Sequence, residues 1–206
     1  MRLPAEERRR QLLDVARDIF ADRGFHSTSM DDVAVAAGVT KPVLYQHFPS
    51  KRALYVELLE DVGNQLLERL TGATDRASTG RQRVEEGFGA YFRFVDENRS
   101  AFRLLFGASV RNDPEFAVVA DRFIDHATVL ISTLIEIPVA AEHRLMLANA
   151  LVGSAEATSR RSLTGDDNAE NVDADRLAAW IAEFVWFGLR GVRAGDDVAT
   201  SMPTPR

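Results

Sequence analysis

Between Gly24 and Leu54 the chain reads GFHSTSMDDVAVAAGVTKPVLYQHFPSKRAL, and few folds accommodate such a run. Ser29 is suited to cap a short helix, with Asp32 three residues later completing a near-match to a capping box. Val33, Ala34 and Ala37 give that helix one apolar edge. Gly38 stands where a helix C-terminus favours a residue tolerant of a left-handed backbone. Val39 plugs the turn with a small apolar side chain, and Thr40 is placed to cap the next helix. That helix holds Pro42 in its first turn, where no N–H is needed. Two short helices joined by a tight turn containing glycine form a helix-turn-helix, the unit that places a recognition helix in the DNA major groove. Phe25, Val33, Leu44 and Phe48 fall on the helical phase of a core.

Charge is distributed in keeping with that reading, although the chain as a whole carries −6. Residues 1–55 hold nine Lys/Arg against seven Asp/Glu, a balance of +2, which leaves −8 for the remainder. The only two lysines of the 206 residues, Lys41 and Lys51, both lie in the motif, and a flexible point charge suits a phosphate. An acidic C-terminal part would confine DNA contact to one end of the molecule. Without cysteine there is no disulfide framework or thiolate metal site. The histidines lack H-x-x-x-H spacing, so no metal is expected, and no cofactor motif is present. Asp31 and Asp32 are better explained by stabilisation at a helix start than as paired catalytic carboxylates. No nucleophile–base pair or Gly-rich phosphate loop points to an enzyme. The basic opening lacks a secretory h-region and no apolar run approaches membrane length, so a soluble cytoplasmic protein is expected.

Every element reads as helix. Leu12, Leu13, Ala16, Ile19 and Phe20 trace one buried face of a first helix ending at Gly24. Ser50 caps a fourth helix carrying Leu54, Leu58, Leu59, Val62, Leu66 and Leu70, and Thr71 to Gly80 is the first break. Phe88, Tyr91, Phe92 and Val95 mark a fifth helix and Ala101 to Phe106 a sixth. After a loop from Gly107 to Asp113, Pro114 starts a seventh. Pro138 precedes an alanine-rich eighth reaching about Arg161. A polar loop, Gly165 to Asn171, leads to a ninth from about Asp173 to Val192. The expected fold is therefore all-α, with about nine helices.

The motif resembles the DNA-binding domain of the TetR family of bacterial transcription regulators. The shared pattern is Gly24-Phe25, Thr28-Ser29, the Ala34 to Val39 turn and Lys41-Pro-Val-Leu-Tyr-Gln-His-Phe-Pro-Ser-Lys51; Pro42 stands where many members have glycine. The resemblance implies a helix-turn-helix domain over residues 1–55 and a helical effector-binding and dimerisation domain over 56–194, while Gly195, Pro203 and Pro205 mark 195–206 as a disordered tail. Carried over position by position, Thr28 and Ser29 resemble phosphate contacts ahead of the second helix. Thr40 and Lys41 open the recognition helix, with Lys41 near base edges or phosphate. Pro42 resembles the small residue lying against a base. Tyr45 and His47 resemble phosphate contacts, Gln46 a direct base contact, and Lys51 a grip on the backbone at a helix N-terminus. Arg8, Arg9 and Arg10 are either a solvated face or flanking contacts.

The ninth helix, Leu177 to Leu189, is apolar nearly all round and must be covered on more than one side. The eighth carries Ala148, Ala150, Gly153, Ala155 and Ala157, which permit close approach. Together they resemble the family's dimer interface, and a twofold dimer implies a palindromic operator in double-stranded DNA. Aromatics concentrate in helices five to seven. Core packing explains most of them, but Gly87 and Gly89 around Phe88 motivate an apolar effector cavity. Its candidate residues are Phe88, Tyr91, Phe92, Phe106 and Phe123, with Arg103 or His126 as polar anchors. Arg2-Leu3-Pro4, Arg81-Gln82-Arg83 and Phe102-Arg103-Leu104 add a second similarity, to actinobacterial regulators of fatty-acid synthesis, which implies long-chain acyl-CoA as effector and activation as the alternative output. The expected function is a repressor released from its operator by a small hydrophobic effector.

Overall fold

The computed structural model describes residues 4–164 and 172–192. The expected loop at 165–171 and tail at 195–206 lie outside the described residues. Among those described, every regular element is a helix: α1 (Ala5–Ser27), α2 (Met30–Ala36), α3 (Lys41–His47), α4 (Lys51–Asp75), α5 (Gly80–Glu97), α6 (Arg99–Phe106), α7 (Ala108–Asn112), α8 (Pro114–Leu134), α9 (Ala141–Thr164) and α10 (Ala174–Gly191). The additional element, α7, occupies the expected loop after Gly107. The break after α4 begins later than expected, because Ala73 and Thr74 are buried and extend the helix through Asp75.

Local chemistry accounts for the helix ends. Ser29 Oγ accepts from the Asp32 N–H while the Asp32 carboxylate accepts from the Ser29 N–H, a complete capping box. Gly38 has φ of 65°, and the bonds Val39 N–H to Ala34 O and Gly38 N–H to Val35 O close a Schellman motif. Gly24, at φ 77° and ψ 167°, breaks α1 into a long helix and a short turn. Ser50 Oγ accepts from the Ala53 N–H and caps α4. The Thr40 side chain, contrary to expectation, caps nothing. Pro42 has no N–H to offer it, and the Val43 N–H is already bonded to the Thr40 carbonyl at 3.0 Å.

The chain divides into two compact units. The first comprises Met1–Thr71 with Arg93–His126. Its core runs through Leu12, Ala16, Phe20, Leu44, Phe48, Leu54, Leu58 and Val62, joined by Leu104, Leu105 and Phe116. An aromatic cluster ties α1, α4 and α8 together: Phe25 lies edge-on to Tyr55 at 5.1 Å and to Phe116 at 4.9 Å, and Tyr55 contacts Phe116 at 4.5 Å.

The second unit comprises Gly72–Phe92 with Ala127–Arg206. Its described interior combines Phe88, Tyr91 and Phe92 with small residues of two helices, Ala148 and Ala155 of α9 and Ala178 and Ala182 of α10. Small side chains at these spacings lie on one face of each helix.

At Gly63 of α4 an added Cβ would sit 2.9 Å from the Phe123 ring of α8. Alanine there gains about 1 kcal/mol of helix propensity but forces a repacking that costs about 1–3 kcal/mol. Gly63→Ala is therefore expected to lower the urea midpoint. A raised midpoint would show that α8 yields freely at this crossing.

Candidate nucleic-acid interface

The recognition-helix candidate, α3, is held by burying Leu44 while it presents its other side to solvent. Thr40, Lys41, Pro42, Tyr45 and Gln46 are all exposed, and Lys41/Tyr45 and Pro42/Gln46 are i, i+4 pairs on one outward surface. The Lys41 ammonium pairs with the Asp31 carboxylate of α2 at 2.9 Å. That hydrogen bond and charge raise the Lys41 pKa, so the side chain is a fixed cation at physiological pH. Asp32 is held below the usual carboxylate range by its hydrogen bonds with Ser29.

Other motif residues spend their polar groups inside the fold. Thr28 is buried and its hydroxyl donates to the Gly24 carbonyl at 2.9 Å, which leaves that side chain turned away from solvent. Ser29 is exposed but its hydroxyl caps α2. Lys51 donates to the carbonyls of Phe25 and Thr28, each at 2.8 Å, and lies 4.4 Å from the centre of the Phe25 ring. Two of its three ammonium protons thus secure the end of α1. His47 is half-buried beside Phe48, and its carbonyl accepts from Arg9 at 2.7 Å.

Arg9 also pairs with Glu57 and covers the Phe48 ring at 4.5 Å, so it links α1, α3 and α4. Arg10 reaches Asp61 at 3.7 Å. Of the opening arginine run, therefore, at least Arg9 has a packing role. Arg52, which the motif reading passed over, donates to both oxygens of Asp113 at 2.8 and 3.1 Å and to Glu115 at 2.7 Å. Its guanidinium lies 4.8 Å from the Phe116 ring. The partner carboxylate is 61 residues away, so no local pattern marks the pair. Ser109 completes this side: it accepts from the Phe25 N–H at 3.4 Å, while burial pushes the Tyr55 phenol up to about 12 and nearby Ser109 opposes that shift.

The expected effector residues fall into both compact units. Phe88, Tyr91 and Phe92 are buried together in the second, with Phe88 stacked on Phe92 at 6.3 Å and Tyr91 edge-on to Phe92 at 5.3 Å. Phe106 packs on Phe102 at 4.8 Å and Phe123 on Gly63, both within the first. Arg103 and His126 are exposed, which does not suit an anchor enclosed by apolar side chains. Among the described residues no group of His, Cys, Asp or Glu is arranged to hold a metal, and no helix is long and apolar enough to cross a membrane.

Two outcomes test this geometry. Lys51→Met is expected to destabilise the protein by about 1–3 kcal/mol in urea denaturation without DNA, because two carbonyls lose a charged donor. A lysine serving DNA alone would leave the midpoint unmoved. Asp113, lowered chiefly by Arg52, contributes its stability above the unfolded-state value of about 4 and loses it on acidification through its depressed value. The stability difference between wild type and Asp113→Asn should therefore be complete at neutral pH and fade progressively below about 4. A difference independent of pH would contradict the assignment.

Residues 12–58 match the N-terminal domain of the bacterial regulatory proteins of the tetR family, and residues 81–188 match the tetracyclin repressor-like C-terminal domain. The HTH-type transcriptional activator FasR of Mycolicibacterium smegmatis is 35% identical over 193 residues, covering 93% of this chain and 87% of that protein. A TetR-like transcriptional regulator from Rhodococcus sp. RHA1 superposes with a TM-score of 0.75 at 30% identity, over 93% of this chain and all of that one. The regulator FadR of Bacillus subtilis, solved in complex with stearoyl-CoA, shares the fold with a TM-score of 0.74 at 14% identity, over 89% and 99% of the two chains. With both domains matched in order, and a helix-turn-helix whose outward residues are free of the core, the chain belongs to the tetR family of bacterial transcriptional regulators.

Proposed function

We propose that residues 1–55 bind a palindromic operator through α3, that residues 56–194 carry the effector and dimer functions, and that an apolar effector releases the DNA. The observation carrying the DNA part is the exposed face of α3, where Gln46 stands one helical turn beyond Pro42 and its amide makes no hydrogen bond among the described residues. An amide in a major groove can bond an adenine edge in two places, whereas Lys41 and Tyr45 are suited to phosphates. Ser29, His47 and Lys51 add to this contact through whatever donors their structural bonds leave, and Thr28 through its backbone.

Dimerisation through α9 and α10 is supported by an apolar stripe left uncovered in the single chain. Trp180, Phe184 and Phe187 are exposed at i, i+4 and i+7 of α10, with Phe184 73% accessible. On α9, Met146, Ala150, Gly153 and Ala157 line a second exposed stripe of mostly small residues, and nothing lies within 4 Å of a Cβ built at Gly153 or Gly188. A twofold partner covering both helices would bring two α3 helices to half-sites about 34 Å apart.

Effector control then follows from preference: the ligand must bind the DNA-incompetent conformation more tightly than the competent one. Phe88, Tyr91 and Phe92 are the effector residues retained in this reading. Whether release lowers or raises transcription depends on where the operator lies relative to the promoter. Repression is one output, and the 35% identity to a protein named as an activator favours activation as the second.

Selection of bound sequences from random duplex DNA is expected to return an inverted repeat. Gln46→Ala should relax preference at one position per half-site, worth about 1–3 kcal/mol of discrimination, while equal weakening on all sequences would remove its base-reading role. Phe184→Glu is expected to give a monomer by sedimentation and to lose cooperative operator binding. A Phe184→Glu dimer would place the interface elsewhere.

A further inference from the structure

Three hydroxyls of the second unit are buried without a hydrogen-bond partner: Tyr91 on α5, Thr128 on α8 and Ser159 on α9. All are more than nine-tenths buried, and Ser159 is 1% accessible. Folded proteins leave few such groups, because each has given up water for nothing in return. Their neighbours show that the helices themselves could have satisfied them. Ser132, Thr133 and Ser154 each donate to a carbonyl one turn back at 2.7–2.8 Å, whereas Thr128 and Ser159, on the same two helices, do not. The Ser159 hydroxyl lies close enough to interact with that of Tyr91, yet the two do not adopt hydrogen-bond geometry. The nearest charges, Glu156 and Arg160, are paired with each other. The Tyr91 ring lies edge-on to Phe92 at 5.3 Å, Phe92 stacks on Phe88, and Ala148 and Ala155 of the same unit are also buried.

We infer that the Tyr91 and Ser159 hydroxyls are the polar contacts of a ligand site inside this unit that takes an apolar molecule bearing one neutral hydroxyl or carbonyl group. A hydroxyl both donates and accepts, so a pair of them can bracket such a group from either sense. With no unpaired charge facing them, an ionised carboxylate would be buried without a counter-ion and is disfavoured. The inference rests on the reading of this unit as effector-binding, and it replaces exposed Arg103 and His126 as the source of polar selectivity.

The test uses the full chain and three probes that share one ring system: 2-naphthol, 2-methylnaphthalene and 2-naphthoate, titrated calorimetrically. The wild type is expected to bind 2-naphthol more tightly than the other two. Tyr91→Phe and Ser159→Ala should each weaken 2-naphthol about three- to tenfold, the worth of one net hydrogen bond, and leave 2-methylnaphthalene unchanged. The urea midpoint of the ligand-free variants should stay level or rise, since each loses an unsatisfied group. If 2-methylnaphthalene binds as well as 2-naphthol and neither variant alters the ratio, the apolar site stands and the hydroxyl assignment is overturned. If no probe binds, the effector reading of this unit fails with it. Ligand-free variants that are destabilised, with naphthol affinity unmoved, would assign the hydroxyls to a structural buried water and also overturn the inference.

Discussion

The aromatic cluster of Phe20, Phe25, Tyr55 and Phe116 is the contact that fixes α1 against α4 and α8 in the first unit. Phe25 follows the left-handed Gly24, so its ring leaves the axis of α1 and inserts between α4 and α8. Edge-to-face pairs of this kind add about 0.5–1.5 kcal/mol each beyond area burial. Cations close the cluster from outside: Lys51 over Phe25 and Arg52 over Phe116. Arg52 then bridges to Asp113 and Glu115 at the start of α8, so a shift of α8 would be felt at the first turn of α4.

That arrangement gives several motif residues two reasons to exist. Lys51 stands where the family resemblance places a phosphate contact, yet its donors also hold the carbonyls that end α1. Thr28 and Arg9 are committed to packing in the same way. Residue types at fixed offsets therefore identify the domain, while several of the side chains they place also make bonds within the fold. Pro42, Tyr45 and Gln46, by contrast, are exposed on the outward face of α3.

In the second unit, polarity and size rather than charge carry the information. Alanines on the inner faces of α9 and α10 let the helices approach, while aromatics of α10 point outward. Both patterns are visible as composition, but which face is covered is not. An all-round apolar helix satisfies a monomer core and a dimer interface equally until its neighbours are known.

Sequence alone determined the all-helical class, the capping box at Ser29, the turn at Gly38 and the membership of the helix-turn-helix, because these depend on chemistry within a few residues. It also located the cap of the fourth helix at Ser50, Pro42 in the first turn of α3 and the start of α8 at Pro114. Tertiary structure decided what pairs at long separation: Arg9 with Glu57, Arg52 with Asp113, Phe123 against Gly63. It likewise decided the idle side chain of Thr40, the exposure of Arg103 and His126, and the orphaned hydroxyls of Tyr91, Thr128 and Ser159. Burial and partnership are properties of position in space, and two residues dozens apart in the chain carry no mark of whether packing will bring them together.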